Sequence, residues 1–168
     1  TITSVVVQAD GKVLFGGNFS SIQPTGSVQA VARGSIARVN ADGSLDADFN
    51  PNFFNVQAIA LQADRMILVG GTRLADSGAV DTYFRPLPNG NVNSVALQAD
   101  GRVMLGGNFT ALQWCDATHL PLSSCPDSQL ASHTIPERSG CDIGELDPRG
   151  QLAGDFICEH RVEHGWRW

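Results

Sequence analysis

One pattern of apolar and polar positions occurs three times along the chain. Its first copy is Val5-Val6-Val7-Gln8-Ala9-Asp10-Gly11-Lys12-Val13-Leu14-Phe15-Gly16-Gly17-Asn18-Phe19. It returns as Val95-Ala96-Leu97-Gln98-Ala99-Asp100-Gly101-Arg102-Val103-Met104-Leu105-Gly106-Gly107-Asn108-Phe109. A worn copy lies between, Ile59-Ala60-Leu61-Gln62-Ala63-Asp64-Arg65-Met66-Ile67-Leu68-Val69-Gly70-Gly71. Two apolar arms around a polar Asp-Gly tip predict a β-hairpin. A type I turn with Gly11 in the left-handed region, forming a bulge, sets Val7 opposite Val13, Val6 opposite Leu14 and Val5 opposite Phe15. Both faces of the hairpin are then apolar, so neighbouring sheets are expected on both sides.

A second hairpin follows the first, Ser35 to Asn50, with its turn at Ala41-Asp42-Gly43. The same register places Val39 opposite Leu45 and Arg38 opposite Asp46. An exposed ion pair there contributes at most about 1 kcal/mol. Pro51 ends the strand because it has no N–H for the ladder. In the middle copy, Arg73 to Pro86 matches Arg38 to Pro51 at Arg, Gly, Asp, Phe and Pro, so Arg73–Asp81 repeats Arg38–Asp46. Gly70-Gly71 must there connect the hairpins alone. In the last copy, Ile143 to Phe156 overlays Ile36 to Phe49, but Glu145 and Ala153 replace the Arg–Asp pair. Residues 20–34 read as a surface loop. Residues 111–140 carry Cys, Pro, His and Ser with no strand pattern.

Each unit is thus two hairpins, or four antiparallel strands. A four-stranded unit that recurs and is apolar on both faces is expected to be a β-propeller blade. The expected divisions are 1–54, 55–90 (short) and 91–168, the last with the inserted Cys-containing loop 111–140 and a C-terminal tail. The fold class is all-β, with about three blades, fewer than a closed ring usually has. The propeller is therefore expected to be partial, or completed by other copies.

The motifs V-x-x-V-x-x-Q-x-D-G-[KR]-[IVM]-L-x-G-G-N-F and I-A-R-[LV]-N-x-D-G-S-L-D-x-x-F-x-P resemble the delta-60 repeat, a bacterial β-propeller repeat family. The resemblance covers most of residues 2–110 and 141–158. It implies a propeller-type domain of large, often secreted or surface-associated bacterial proteins. It brings no catalytic residues.

Composition narrows the function classes. The 168 residues suffice for one domain with a sizeable core. A net charge of −6 argues against nucleic-acid or anionic-membrane partners, which need a basic face. No apolar run approaches the roughly 18–20 residues of a membrane span. No signal peptide is visible, and the chain opens at Thr1 inside a repeat, so a processed product or an excerpt of something longer is expected. The four cysteines, Cys115, Cys125, Cys141 and Cys158, favour disulfides and an oxidising compartment. Cys141 and Cys158 flank the last hairpin, as diagonal neighbours in the bulged register and direct partners across a two-residue turn. Cys115–Cys125 would close the inserted loop. The expected location is extracellular, cell-surface or periplasmic.

Candidate chemistry is sparse. Asp10-Gly11, Asp42-Gly43 and Asp100-Gly101 lack the EF-hand spacing and fit turns. Gly16-Gly17-Asn18 and Gly106-Gly107-Asn108 precede no helix, unlike phosphate loops. Cys158, His160 and His164 are metal-ligand types at close spacing, with Cys115, Cys125, His119 and His133 nearby in sequence, but no paired C-x-x-C occurs. No G-x-S-x-G elbow is present. Trp114, Trp166 and Trp168 fall outside the repeat, as a packed tail or a stacking surface. No catalytic, cofactor or metal residue is assigned. The expectation is a non-enzymatic scaffold that binds a protein partner or self-associates through open blade faces, with loops 20–34 and 111–140 presented for binding. The alternatives are a carbohydrate-active or hydrolytic propeller with an axial site, which leaves a carbohydrate ligand open, and a metal-stabilised module.

Overall fold

A computed structural model describes residues 1–84, 86–115, 130–134, 143–146 and 148 of the chain. The described residues form short antiparallel strands and no helix. The first sheet joins β1 (Ile2–Val7), β2 (Val13–Gly17) and β5 (Ile36–Val39) in that order. The second joins β6 (Ile59–Leu61), β7 (Ile67–Val69) and β8 (Thr72–Leu74), and the third β10 (Asn91–Leu97), β11 (Val103–Asn108) and β14 (Ile143–Leu146).

The expected turn geometry holds. Val7 pairs Val13, Val6 pairs Leu14 and Val5 pairs Phe15. Gly11 and Gly101 sit at φ 82° and 86°, and Arg65 takes the same left-handed conformation at φ 69°. An L side chain there costs about 1–2 kcal/mol, which the surrounding hairpin absorbs. The turn acids are used locally: Lys12 N–H donates to Asp10 at 3.1 Å, Ser44 N–H to Asp42 at 2.9 Å, Met66 N–H to Asp64 at 3.1 Å and Arg102 N–H to Asp100 at 3.1 Å. These bonds mimic a backbone turn and explain aspartate at the tips. Gly70-Gly71 alone connects β7 to β8, since Val69 pairs Thr72.

Three expectations are corrected. The fourth strand of the first and second units shrinks to a single bridge, Val39 with Leu45 and Leu74 with Val80. The chain leaves the ladder there to bury Phe49 and Phe84, both 0% exposed. Residues 20–34 are more than a loop: β3 (Ser21–Ile22) pairs β4 (Val31–Ala32). Residues 111–140 likewise contain β12 (Ala111–Cys115) and β13 (Leu130–Thr134), with β9 (Leu87–Pro88) on the other side of β12. Both ribbons follow a Gly-Gly-Asn-Phe motif. Strands this short and polar carry no alternation that a pattern reading can detect.

The three repeat sheets stack, and the core is two layers between them. Leu14 and Ile36 of the first sheet and Phe49 and Val56 beside it pack on Ile59, Ile67, Val69 and Leu74 of the second. The opposite face of the second sheet, through Leu68, meets Val103, Leu105 and Leu146 of the third together with Phe84 and Phe109. Each such side chain, fully buried, contributes about 1.5–3 kcal/mol. The first strands are tied directly: Thr3 Oγ1 donates to Val56 O at 2.6 Å, and Ile59 N–H to Ser4 Oγ at 3.0 Å.

The expectation of neighbours on both faces fails at the first sheet. Val5 and Val7 are 59% and 64% exposed. Val13 and Phe15, opposite them, are half-buried on the same face. Of their repeat counterparts, Ile59, Ile67, Val69, Val103 and Leu105 are buried, and Leu61, Val95 and Leu97 are half-buried.

Candidate assembly interface

The junction between the first and second sheets is organised by one arginine. Arg38 projects from β5, opposite Leu14, and its side chain is 6% exposed. Its Nε donates to Asp46 Oδ2 at 2.9 Å, and its guanidinium lies 4.3 Å from the centre of the Phe49 ring. Both partners are on its own hairpin. Its Nη1 crosses to the turn of the second sheet, donating to Asp76 O at 2.7 Å and Asp76 Oδ1 at 2.9 Å. Gln8 completes the set. Its Oε1 accepts from Arg38 Nη1 at 3.3 Å, and its Nε2 donates to Asp76 Oδ1 at 2.9 Å. Lys12 Nζ adds a second cation on Asp46 at 2.9 Å.

The expected Arg38–Asp46 pair is therefore present, and it is buried. For Asp46, burial pushes its pKa up, yet the hydrogen bonds and charges of Lys12 and Arg38 outweigh it and hold the carboxyl below its ordinary value. The hydrogen bond from Gln8 is the main cause that lowers Asp76, with Arg38 and Arg65 assisting against burial.

The next junction repeats the plan with fewer parts. Arg73 Nε donates to Asp81 Oδ2 at 2.8 Å, and its guanidinium lies 4.5 Å from the Phe84 ring centre. Its Nη1 donates across to Pro148 O at 2.6 Å. Asp76 and Pro148 hold the same repeat position, three residues after the arginine position of their own sheet. Proline offers no side-chain acceptor. Gln62, the counterpart of Gln8, has a buried Oε1 without a hydrogen-bond partner.

Residues 8–49, which span the Arg38 hairpin and its partner Gln8, match the model of a family described as a domain of unknown function (DUF5122) beta-propeller. This segment is similar to a β-propeller repeat. The match is consistent with the bacterial β-propeller repeat family that the motifs resemble. No curated protein matches the chain. The repeat sheets can now be called blades, and they do not close into a ring.

Two clefts open on the described blades. One, of about 390 Å³, lies between turn tips and is lined by Gln8, Asp10, Gln62, Arg65 and Asp76. Its two acids already serve the turn and the junction. The other, of about 830 Å³, is lined by Asn18, Arg33, Asn50, Asn52, Phe53 and Phe54 among others. Arg33 is buried, with its Nε unpartnered, a feature that sequence reasoning missed because the stretch reads as a loop.

Of the sequence-level site residues, Cys115 and Trp114 lie in β12 and His133 in β13. Cys125, Cys141, Cys158, His119, His160, His164, Trp166 and Trp168 lie outside the described residues, as does Ala153. Among the described residues, no three His, Cys, Asp or Glu side chains gather as a metal site. No helix among them is long and apolar enough to cross a membrane.

Proposed function

We propose that this chain is a non-enzymatic β-propeller scaffold that binds or assembles through the open faces of its end blades. One observation carries the reading. Val5 and Val7 stand exposed on the first blade, while the equivalent positions of the other two blades are covered by a preceding blade. Burying either valine gains about 1 kcal/mol, which favours occupancy of that face. The non-enzymatic reading is supported by the employment of Asp10 and Asp76, the acids of the turn-tip cleft, in structural bonds. A secreted, surface or periplasmic setting is part of the proposal, supported by the family resemblance and the cysteine content.

The test compares the native chain with one carrying Val5→Asp and Val7→Asp. The native chain is expected to bind an apolar-surface dye such as anilinonaphthalene sulfonate, and the variant to lose most of that signal at nearly unchanged melting temperature. Equal dye binding by both chains would overturn the reading.

A further inference from the structure

We infer that the cleft of about 830 Å³ beside the β3–β4 ribbon binds a sugar that carries one carboxylate, a uronic acid unit of a saccharide. The inference goes beyond the assembly reading and uses none of the valines of the open face.

The cleft lining carries one charge, and that charge has no counter-ion. Arg33 directly follows β4, and its N–H donates to Ser20 O at 3.0 Å, which seats it at the end of the ribbon. It is 6% exposed. Its Nη1 donates to Ala32 O at 2.8 Å and its Nη2 to Ala47 O at 3.4 Å, both neutral main-chain oxygens. Its Nε has no partner. Arg38 and Arg73 at the blade junctions each hold an aspartate, but among the described residues no carboxylate pairs with Arg33. A guanidinium taken out of water is costly to hold unless an anion offsets it. A carboxylate suits it best, because two oxygens match the guanidinium fork.

The rest of the lining is neutral and suits hydroxyls. Asn18, Asn50 and Asn52 are exposed, and their carboxamides make no hydrogen bond among the described residues. A carboxamide both donates and accepts, as a sugar hydroxyl does. Phe54 is 89% exposed and offers a ring on which a sugar can stack. One cation among neutral groups matches a single negative charge and not a polyanion. The volume lies in the ordinary range of ligand pockets, roughly 300–1,000 Å³.

The walls are fixed without a ligand. Ser35 and Asn55 hold left-handed φ values of 59° and 51°, two of the three such non-glycine residues described. Ser35 Oγ accepts from Asn55 N–H at 3.2 Å and donates to Phe19 O at 3.3 Å, which ties one wall to the other. Gly34 has no room for a Cβ, because Asn52 Oδ1 occupies the space. Left-handed residues other than glycine cost about 1–3 kcal/mol each and gather at ligand clamps.

The test titrates the full chain, labelled with nitrogen-15, with cellobiouronic acid, which carries one carboxylate, and with cellobiose, its neutral counterpart. The acid is expected to shift the amide signals of Asn18, Arg33 and Asn52 saturably, and to bind about tenfold or more tightly than cellobiose. Arg33→Gln, which removes the charge, should lower the affinity for the acid to that for cellobiose. Phe54→Ala, at an exposed position, should leave the spectrum folded and weaken both sugars by about threefold or more. If Arg33→Gln does not fold, Phe54→Ala and Asn52→Ala carry the test, each expected to weaken binding of the acid. No saturable shift with the acid up to about 10 mM overturns the inference, as do equal affinities for the two sugars. Tighter binding of inorganic phosphate or of a tetraglutamate peptide than of the acid sugar overturns it too. So does unchanged affinity in folded Phe54→Ala. None of these results bears on the dye test of the open face, so the two readings fail separately.

Discussion

The two blade junctions share a core design and differ in their polar completion. In both, aliphatic side chains of one sheet pack on those of the next, and an arginine over a phenylalanine reaches across. At the first junction the arginine is enclosed by Asp46, Asp76 and Gln8, with Lys12 behind. At the second, proline replaces the acid, and a buried glutamine oxygen is left without a partner. The apolar layer sets which surfaces meet. The polar set decides how strongly one register is held, because a buried donor or acceptor costs free energy unless it is paired.

The largest test of this contrast is removal of each arginine. Arg38→Leu leaves buried Asp46 to Lys12 alone and Asp76 to Gln8 alone, and should cost about 3–5 kcal/mol in urea unfolding, in the range for breaking a buried pair. Arg73→Leu strands one ion partner and should cost about 2 kcal/mol, near the value of a charged hydrogen bond. Equal losses would break the comparison.

Acid should act next, and mainly on the first junction. Asp46 and Asp76 both have depressed carboxyl pKa values in the folded chain. Their contribution is complete above the ordinary aspartate value of about 3.9 and is lost as pH falls through the lower folded values. Asp46→Asn should therefore flatten the fall in unfolding free energy below about pH 4. An unchanged slope would place the acid sensitivity elsewhere.

Much of this was legible in the sequence, and the reason is locality. The turn, its register and the Arg38–Asp46 pairing all lie within single hairpins, so spacing alone places them. The tie from Arg38 to Asp76 joins two blades, and hairpin register says nothing about it. Hairpin register also leaves the burial of the pair open. The open face was misjudged for a related reason. Val5 and Val7 look like buried residues because their hairpin is apolar on both faces, but among the described residues no sheet covers that face. The β3–β4 and β12–β13 ribbons escaped notice because their strands hide in polar, proline-containing stretches.

Two glutamines give the smallest and sharpest contrast. Gln8→Leu removes partners from Arg38 and Asp76 and should cost about 1–2 kcal/mol. Gln62→Leu removes an oxygen that has no partner and should be neutral or stabilise by a few tenths to about 1 kcal/mol. Thermal or urea unfolding of the two variants reads the difference directly. A reversal of their order would mean that Gln62 holds its junction as Gln8 does.

The claim that Arg38 joins one blade to the next is tested most directly by a double-mutant cycle of Arg38→Leu and Asp76→Ala in urea unfolding. Asp76 is partly exposed, so its single loss should be modest, about 1 kcal/mol. A coupling of about 1 kcal/mol between the two substitutions is predicted. Additive losses, with no coupling, would contradict the account.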